Sequence, residues 1–176
     1  DPTAALGLVD LGDVDVVHGD HEASLARMEA AYAAVIADGA VPIGLGGDGM
    51  VSVPAMAAFG ARHPGLAVIH FDSHTDAYPE PGGGNAVTLN PATTFAHAVE
   101  RGYVDPGASV HAGLRGFAYV PGVFAHAEAL GYHLLPMDEI EGGGIAAAAA
   151  RIREAVGERP VFLCFDMDVF DPATAP

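Results

Sequence analysis

The sequence predicts an α/β fold in which helices flank a mainly parallel sheet. The chain has 176 residues, which is enough for one domain with a sizeable core. Apolar residues make up 51% of it and charged residues only 17%, so extended disorder is not expected. Short β-branched runs alternate with helical segments, which is the pattern of strands joined by crossover helices. We therefore expect a single domain over residues 1–176.

The first half of the chain supplies two helices and two strands. Residues 21–39 are rich in Ala, Leu, Met and Glu and end at a glycine, which predicts a helix. The apolar run 40–47 ends in glycines and predicts a buried strand. Residues 52–63 predict a helix with Pro54 in its first turn. The β-branched and aromatic residues of 66–72 predict another strand.

The second half continues the alternation after a long loop rich in Gly, Pro and Asn. By the same criteria we predict a loop over 78–94, a helix over 95–102, a strand over 108–116, a helix over 123–131, a strand over 132–137, a helix over 145–157 and a strand over 160–168.

Composition excludes several classes of function. The net charge of −16 comes from 23 acidic and 7 basic residues, so nucleic-acid binding is not expected. A single cysteine, Cys164, cannot form an internal disulfide and fits a reducing compartment. No apolar run approaches the roughly 20 residues of a membrane span, and residues 1–16 do not resemble a signal peptide. We expect a cytoplasmic protein without membrane contact.

Polar motifs follow three of the predicted strands, at 46–48, 72–76 and 166–171. The carboxyl ends of parallel strands meet at one edge of a sheet, so these motifs should converge there. Asp72, His74 and Asp76 are spaced by two, and in an extended segment alternate side chains point to the same side. Asp166 and Asp168 repeat this spacing.

Such a concentration of carboxylates predicts a metal site. Uncompensated, the aspartates would repel one another and lose solvation, and divalent cations would remove that cost. A donor set that is mostly carboxylate with one imidazole suits Mn²⁺. Two ions held close together would lower the pKa of water and stabilise a tetrahedral intermediate.

The stretch GLGGDG at 44–49 admits two interpretations. It is a phosphate-binding loop of the kind in nucleotide-dependent kinases, or a Gly-Gly-Asp-His metal motif whose histidine is absent. The kinase interpretation leaves Asp72, His74 and Asp76 unexplained. A third interpretation takes FDMDVF at 165–170 as a phosphatase nucleophile motif, but that motif normally begins a domain, whereas here it lies near the end of the chain.

Five stretches together resemble the ureohydrolases, the family of arginase, agmatinase and the guanidino-acid hydrolases. They are VDLGDV at 9–14, GLGGDG at 44–49, HFDSHTDAY at 70–78, GLRG at 113–116 and CFDMDVFDPATAP at 164–176. The resemblance extends over nearly the whole chain and favours the agmatinase and guanidino-acid branch. It implies a three-layer α/β/α sandwich of the arginase-like type, which uses two Mn²⁺ ions to hydrolyse a guanidino compound to urea and an amine.

The resemblance also implies a role for each site residue. Asp72, Asp76 and Asp166 would be ligands of the first ion, with Asp72 and Asp166 bridging both ions and positioning the attacking hydroxide. His74 and Asp168 would bind the second ion. Asp171, Arg115 and Cys164 would not be ligands, and we predict that His70 is a buried, hydrogen-bonded histidine and that His111 is a packing or surface residue.

Two departures from the family leave an alternative open. Gly49 stands where the family has a histidine ligand of the first ion, so that ion would be weak or absent. Pro91 stands near the place of a second histidine. The alternative is a ureohydrolase-fold pseudoenzyme or regulatory subunit. By resemblance we also expect a trimer or hexamer, and a fragment that lacks N- and C-terminal parts.

Overall fold

The computed structural model describes residues 5–80, 88–116, 118 and 120–175. Within these ranges one sheet contains four parallel strands in the order β3-β2-β1-β4. The strands are β1 (Ala67–Phe71), β2 (Val110–Leu114), β3 (His133–Pro136) and β4 (Val161–Phe165). The helices are α1 (His21–Ala37), α2 (Ser52–Arg62), α3 (Thr94–Glu100), α4 (Val123–Leu130), α5 (Met137–Gly143) and α6 (Ile145–Val156).

Helices cover both faces of the sheet. On one face, Met56 of α2, Phe95 of α3 and Ala127 of α4 pack in a common cluster with Val68 of β1. On the other face, an apolar residue of α5 and Ala148 of α6 pack in a second cluster with apolar residues of β2. The α/β fold with a parallel sheet is therefore confirmed, and the described helices and strands form three layers.

The carboxyl ends of the two central strands and β4 are joined by hydrogen bonds just beyond the regular sheet. The backbone N–H of Asp72 donates to the carbonyl of Ala112 over 3.1 Å, and that of Asp166 donates to the carbonyl of Phe71 over 2.8 Å. These bonds bring the residues that follow β1 and β4 to the same edge, as expected for parallel strands.

Most predicted elements are present, with ends that differ by at most three residues. The strand predicted over 40–47 is wrong. Val41, Ile43 and Leu45 are 83%, 74% and 97% exposed and belong to no strand. In the described part of the chain no neighbouring strand offers these residues ladder hydrogen bonds, and an apolar run without a partner does not form a strand.

Two further differences concern local signals. Helix α5 has no counterpart among the predicted elements, because its last residues, Gly142 and Gly143, indicate a turn rather than a helix. The loop predicted over 78–94 contains a short 3₁₀ helix at Pro91–Thr93, and its residues 81–87 lie outside the described ranges. In those ranges no helix combines the length and apolar character that a membrane span requires.

Candidate metal centre

Asp72 lies between two groups of metal-ligating side chains. It follows β1 directly and is only 2% exposed. Asp72, His74 and Asp168 form one group, and His70, Asp72 and Asp76 form the other; within each group the ligand atoms lie within 4.8 Å of one another. Asp72 faces the first through Oδ1, 3.3 Å from His74 Nδ1, and the second through Oδ2, 3.0 Å from His70 Nε2. One carboxylate thus links two candidate sites.

The group of Asp72, His74 and Asp168, here called the His74 group, is held by hydrogen bonds from Ser73. The Ser73 N–H and Oγ donate to the two oxygens of Asp168, over 2.9 and 2.8 Å. His74 Nδ1 lies 3.0 Å from Asp168 Oδ2. Partial burial alone would raise the pKa of Asp168, but these hydrogen bonds hold that pKa below its ordinary value.

Residues after β2 also support the His74 group. The Arg115 guanidinium donates to the backbone carbonyls of Asp168 over 2.7 Å and Val169 over 2.9 Å, and to that of Phe170. Gly116 approaches His74 so closely that a Cβ there would lie 2.4 Å from Nε2 of the imidazole. Arg115 therefore fixes the turn that carries Asp168, and Gly116 leaves room for the imidazole.

The group of His70, Asp72 and Asp76, here called the His70 group, contains a strained backbone position. Asp76 has a φ of +44°, which few residues other than glycine adopt. Burial, and then the charge of Asp72, raises the pKa of Asp76 to about 7. A carboxylate with this pKa binds a proton near neutrality when no cation is bound, so the site favours positive charge.

Position 49 faces the His70 group without contributing to it. A Cβ at Gly49 would lie 2.9 Å from Asp76 Oδ2 and 3.2 Å from the carbonyl oxygen of Pro91. The absent histidine therefore corresponds to a place beside the Asp76 carboxylate. The first ion, as predicted from the family, would have Asp72 and Asp76 here but no imidazole from this turn.

Asp166 lies at the edge of the centre rather than within either group. Its Oδ1 accepts a hydrogen bond from the Asp168 N–H over 2.9 Å and caps the 3₁₀ helix Met167–Val169. Its charge contributes to the raised pKa of Asp76. The carboxylate is thus within electrostatic reach of the His70 group, although it is not one of the residues assembled there.

His70 is buried, and its ring is hydrogen-bonded to that of a second buried histidine. It is 1% exposed, and its Nδ1 lies 2.8 Å from Nδ1 of His111, which is fully buried. Burial alone lowers the pKa of His70, but the hydrogen bond to Asp72 helps to raise it to about 9. Burial and the neighbouring His70 lower the pKa of His111 well below its ordinary value.

The structure divides the predicted set differently from the sequence. We expected Asp72, His74 and Asp76 to share one side of an extended segment. Strand β1 ends at Phe71, and the chain then bends so that His74 and Asp76 lie in different groups. Carboxylate oxygens with one imidazole in each group are a donor set that divalent cations fit.

Sequence reasoning missed four supporting residues and one candidate ligand. His70 had a signal, since it alternates in phase with Asp72, and its prediction as a buried, hydrogen-bonded histidine is confirmed, although that prediction did not make it a ligand. His111, predicted as a packing or surface residue, is fully buried beside it. Ser73, Arg115 and Gly116 lie in stretches that carry the family resemblance, but the sequence does not predict what they contact, because their contacts depend on segments distant in sequence.

Comparisons with known proteins identify relatives along the whole chain. The Arginase family model matches residues 1–176. Guanidinopropionase of Pseudomonas aeruginosa is 40% identical over 167 residues, which are 95% of this chain and 52% of that protein. Agmatinase of Photorhabdus laumondii is 33% identical over 171 residues, 97% of this chain and 52% of that protein.

A solved structure gives the same result for the fold. The proclavaminate amidino hydrolase from Streptomyces clavuligerus superposes with a TM-score of 0.84 at 33% identity, covering 96% of this chain and 55% of that one. The chain spans about half the length of the curated relatives it matches. The resemblance to ureohydrolases on the agmatinase and guanidino-acid side is confirmed, and the chain belongs to the arginase family.

Proposed function

We propose that the protein carrying this chain hydrolyses a guanidino compound to urea and an amine at a binuclear manganese centre. The observation that carries the proposal is Asp72, whose two carboxylate oxygens face two separate groups of ligand atoms. A carboxylate in that position can link two cations, and its 2% exposure leaves it little access to water in their absence.

The residues proposed as ligands are Asp72, His74, Asp76, Asp166 and Asp168. Mn²⁺ is proposed because carboxylates outnumber imidazoles in this set. When bound, such cations lower the pKa of water and act as Lewis acids. Asp72 and Asp166 would position the water that attacks the guanidinium carbon; the bond to the alkyl nitrogen then breaks and the amine leaves with a proton.

The supporting residues keep this arrangement rigid. Ser73 orients Asp168 through two hydrogen bonds, and Arg115 fixes the backbone from 168 to 170. A ligand whose own hydrogen bonds are satisfied loses little freedom when a cation binds. The His74 group should therefore bind its ion more tightly than the His70 group binds the first ion.

The substrate class follows from the relatives. Their names include guanidinopropionase and agmatinase, so 3-guanidinopropionate and agmatine are the first compounds to try. These relatives are hydrolases, and the pseudoenzyme alternative receives no support from them. A cytoplasmic location is proposed on composition, because a single cysteine fits a reducing compartment. Assembly as a trimer or hexamer is proposed on the family resemblance alone.

Urea release by the full-length protein tests the proposal. We expect the Mn²⁺-loaded protein to release urea from a guanidino compound, with Asp72→Asn at least about 100-fold less active. Asp38→Asn, a matched change at an exposed carboxylate outside the family motifs, should leave activity unchanged. Absence of urea from all guanidino compounds tried, despite bound manganese, would favour the pseudoenzyme.

A further inference from the structure

We infer that His70 supplies the imidazole ligand of the first ion, in place of the side chain that Gly49 lacks. The inference rests on the proposed metal centre and concerns only how this chain completes it. It changes the expected ligand set, because position 70 lies on strand β1 whereas position 49 lies on the turn before α2.

The placement of the ring supports this assignment. His70 Nε2 lies 3.0 Å from Asp72 Oδ2 and belongs to a group with Asp76 in which all ligand atoms are within 4.8 Å. A cation about 2.1 Å from each ligand has neighbouring ligand atoms about 3.0 Å apart when they subtend a right angle. The separation of Nε2 from Oδ2 therefore suits two ligands of one ion.

Position 49 lies beside the His70 group but offers it no ligand. Since a Cβ there would already be 2.9 Å from Asp76 Oδ2, position 49 and His70 both lie beside the Asp76 carboxylate, although they belong to different elements. Because residue 49 is glycine, this position offers no side-chain ligand to a cation. In the described ranges, the imidazole grouped with Asp72 and Asp76 is that of His70.

His111 provides the second contact that a ligating histidine requires. A hydrogen bond joins the two Nδ1 atoms over 2.8 Å, so one ring donates and the other accepts. Without a cation, His70 shares its Nε2 proton with Asp72, and a cation that binds there displaces this proton. If His70 then donates its Nδ1–H to His111, its Nε2 offers a lone pair to the cation, and His111 carries its own proton on Nε2. That atom of His111 has no hydrogen-bond partner in the described part of the chain. Histidine ligands commonly donate their other ring N–H to a hydrogen-bond acceptor, which fixes the tautomer and the orientation of the ring.

Aromatic packing prevents either ring from turning away. The Phe95 ring lies 4.3 Å from the His70 ring, and the Tyr132 ring lies 4.4 Å from that of His111, measured between centroids. The Tyr132 hydroxyl donates to the Phe95 carbonyl over 3.1 Å. His70 is thus presented to the carboxylates in one orientation, which favours metal binding.

Crystals of the Mn²⁺-loaded, full-length wild-type protein give the direct test. We expect two anomalous peaks, one of them within about 2.3 Å of His70 Nε2. Two peaks without contact to His70 would overturn this inference and leave the proposed hydrolase intact. No manganese in the protein would remove the basis of both proposals.

Stoichiometry and affinity provide the second test. By elemental analysis and calorimetric titration with Mn²⁺, His70→Asn should retain one ion and bind the other at least about tenfold more weakly. His111→Phe, which removes the acceptor, should weaken the same ion selectively. The exposed His18→Asn is the control and should bind as wild type. Adding Gly49→His to His70→Asn should restore the weakened ion; unchanged affinity of both ions in His70→Asn would contradict the assignment.

Discussion

Replacing Gly116 by alanine tests whether a close backbone approach positions His74. The new Cβ would lie 2.4 Å from His74 Nε2, 2.5 Å from Cδ2 and 2.8 Å from the Ser73 carbonyl oxygen. Ordinary contacts begin at about 3.4 Å, so the ring must retreat by about 1 Å. The strain arises from contact alone, because the φ of Gly116 is not in the left-handed region.

The displacement should affect both stability and metal binding. Overpacking of this kind costs about 1–3 kcal/mol of the free energy of unfolding. A 1 Å shift of the ring would also disturb the distances from Nδ1 to Asp168 Oδ2 and Asp72 Oδ1, now 3.0 and 3.3 Å. We expect the affinity of the His74 group for Mn²⁺ to fall about 10- to 100-fold, as when outer contacts of metal ligands are lost.

Urea denaturation of the metal-free protein and calorimetric titration with Mn²⁺ measure the two effects separately. The control is Gly142→Ala in α5, where no atom lies within 4 Å of the new Cβ. That variant should be as stable as wild type or up to about 1 kcal/mol more stable, with unchanged metal binding. Wild-type affinity and stability in Gly116→Ala would refute the argument that this glycine makes room for His74.

Two further predictions concern Arg115 and Asp76. Arg115→Met removes the hydrogen-bond donors to the turn at 168–170 and should lower the free energy of unfolding in urea by about 1–2 kcal/mol. The control, Arg153→Met at an exposed position of α6, should not lower it. Equal losses in the two variants would contradict a specific role for Arg115. Because the folded protein holds a proton on Asp76 up to about pH 7 and the unfolded chain loses it near pH 4, the stability of the metal-free protein should fall as pH rises between these values. Asp76 can account for a slope of at most about 1.4 kcal/mol per pH unit in a plot of the free energy of unfolding against pH, and Asp76→Asn should lack this slope. Parallel plots for wild type and Asp76→Asn would show that another group titrates.

Much of the fold could be predicted because its signals are local. A buried strand such as β1 is a short β-branched run, and α6 is an alanine-rich segment that ends at a glycine. The two carboxylate motifs follow strands, so their convergence at one edge follows from the parallel sheet. The strand predicted over 40–47 failed because strand formation requires a partner as well as an apolar run.

The sequence by itself determined the fold class, the family resemblance and the identity of the carboxylates that make a metal centre plausible. Only the tertiary structure decided how those side chains are divided around Asp72 and which residues support them. Strand register places His111 beside His70, and the turn after β2 brings Arg115 and Gly116 to residues 168–170 and to His74. These contacts join segments about 40 to 50 residues apart. Neither composition nor periodicity specifies them, because they depend on how strands pair and on what space each neighbour leaves.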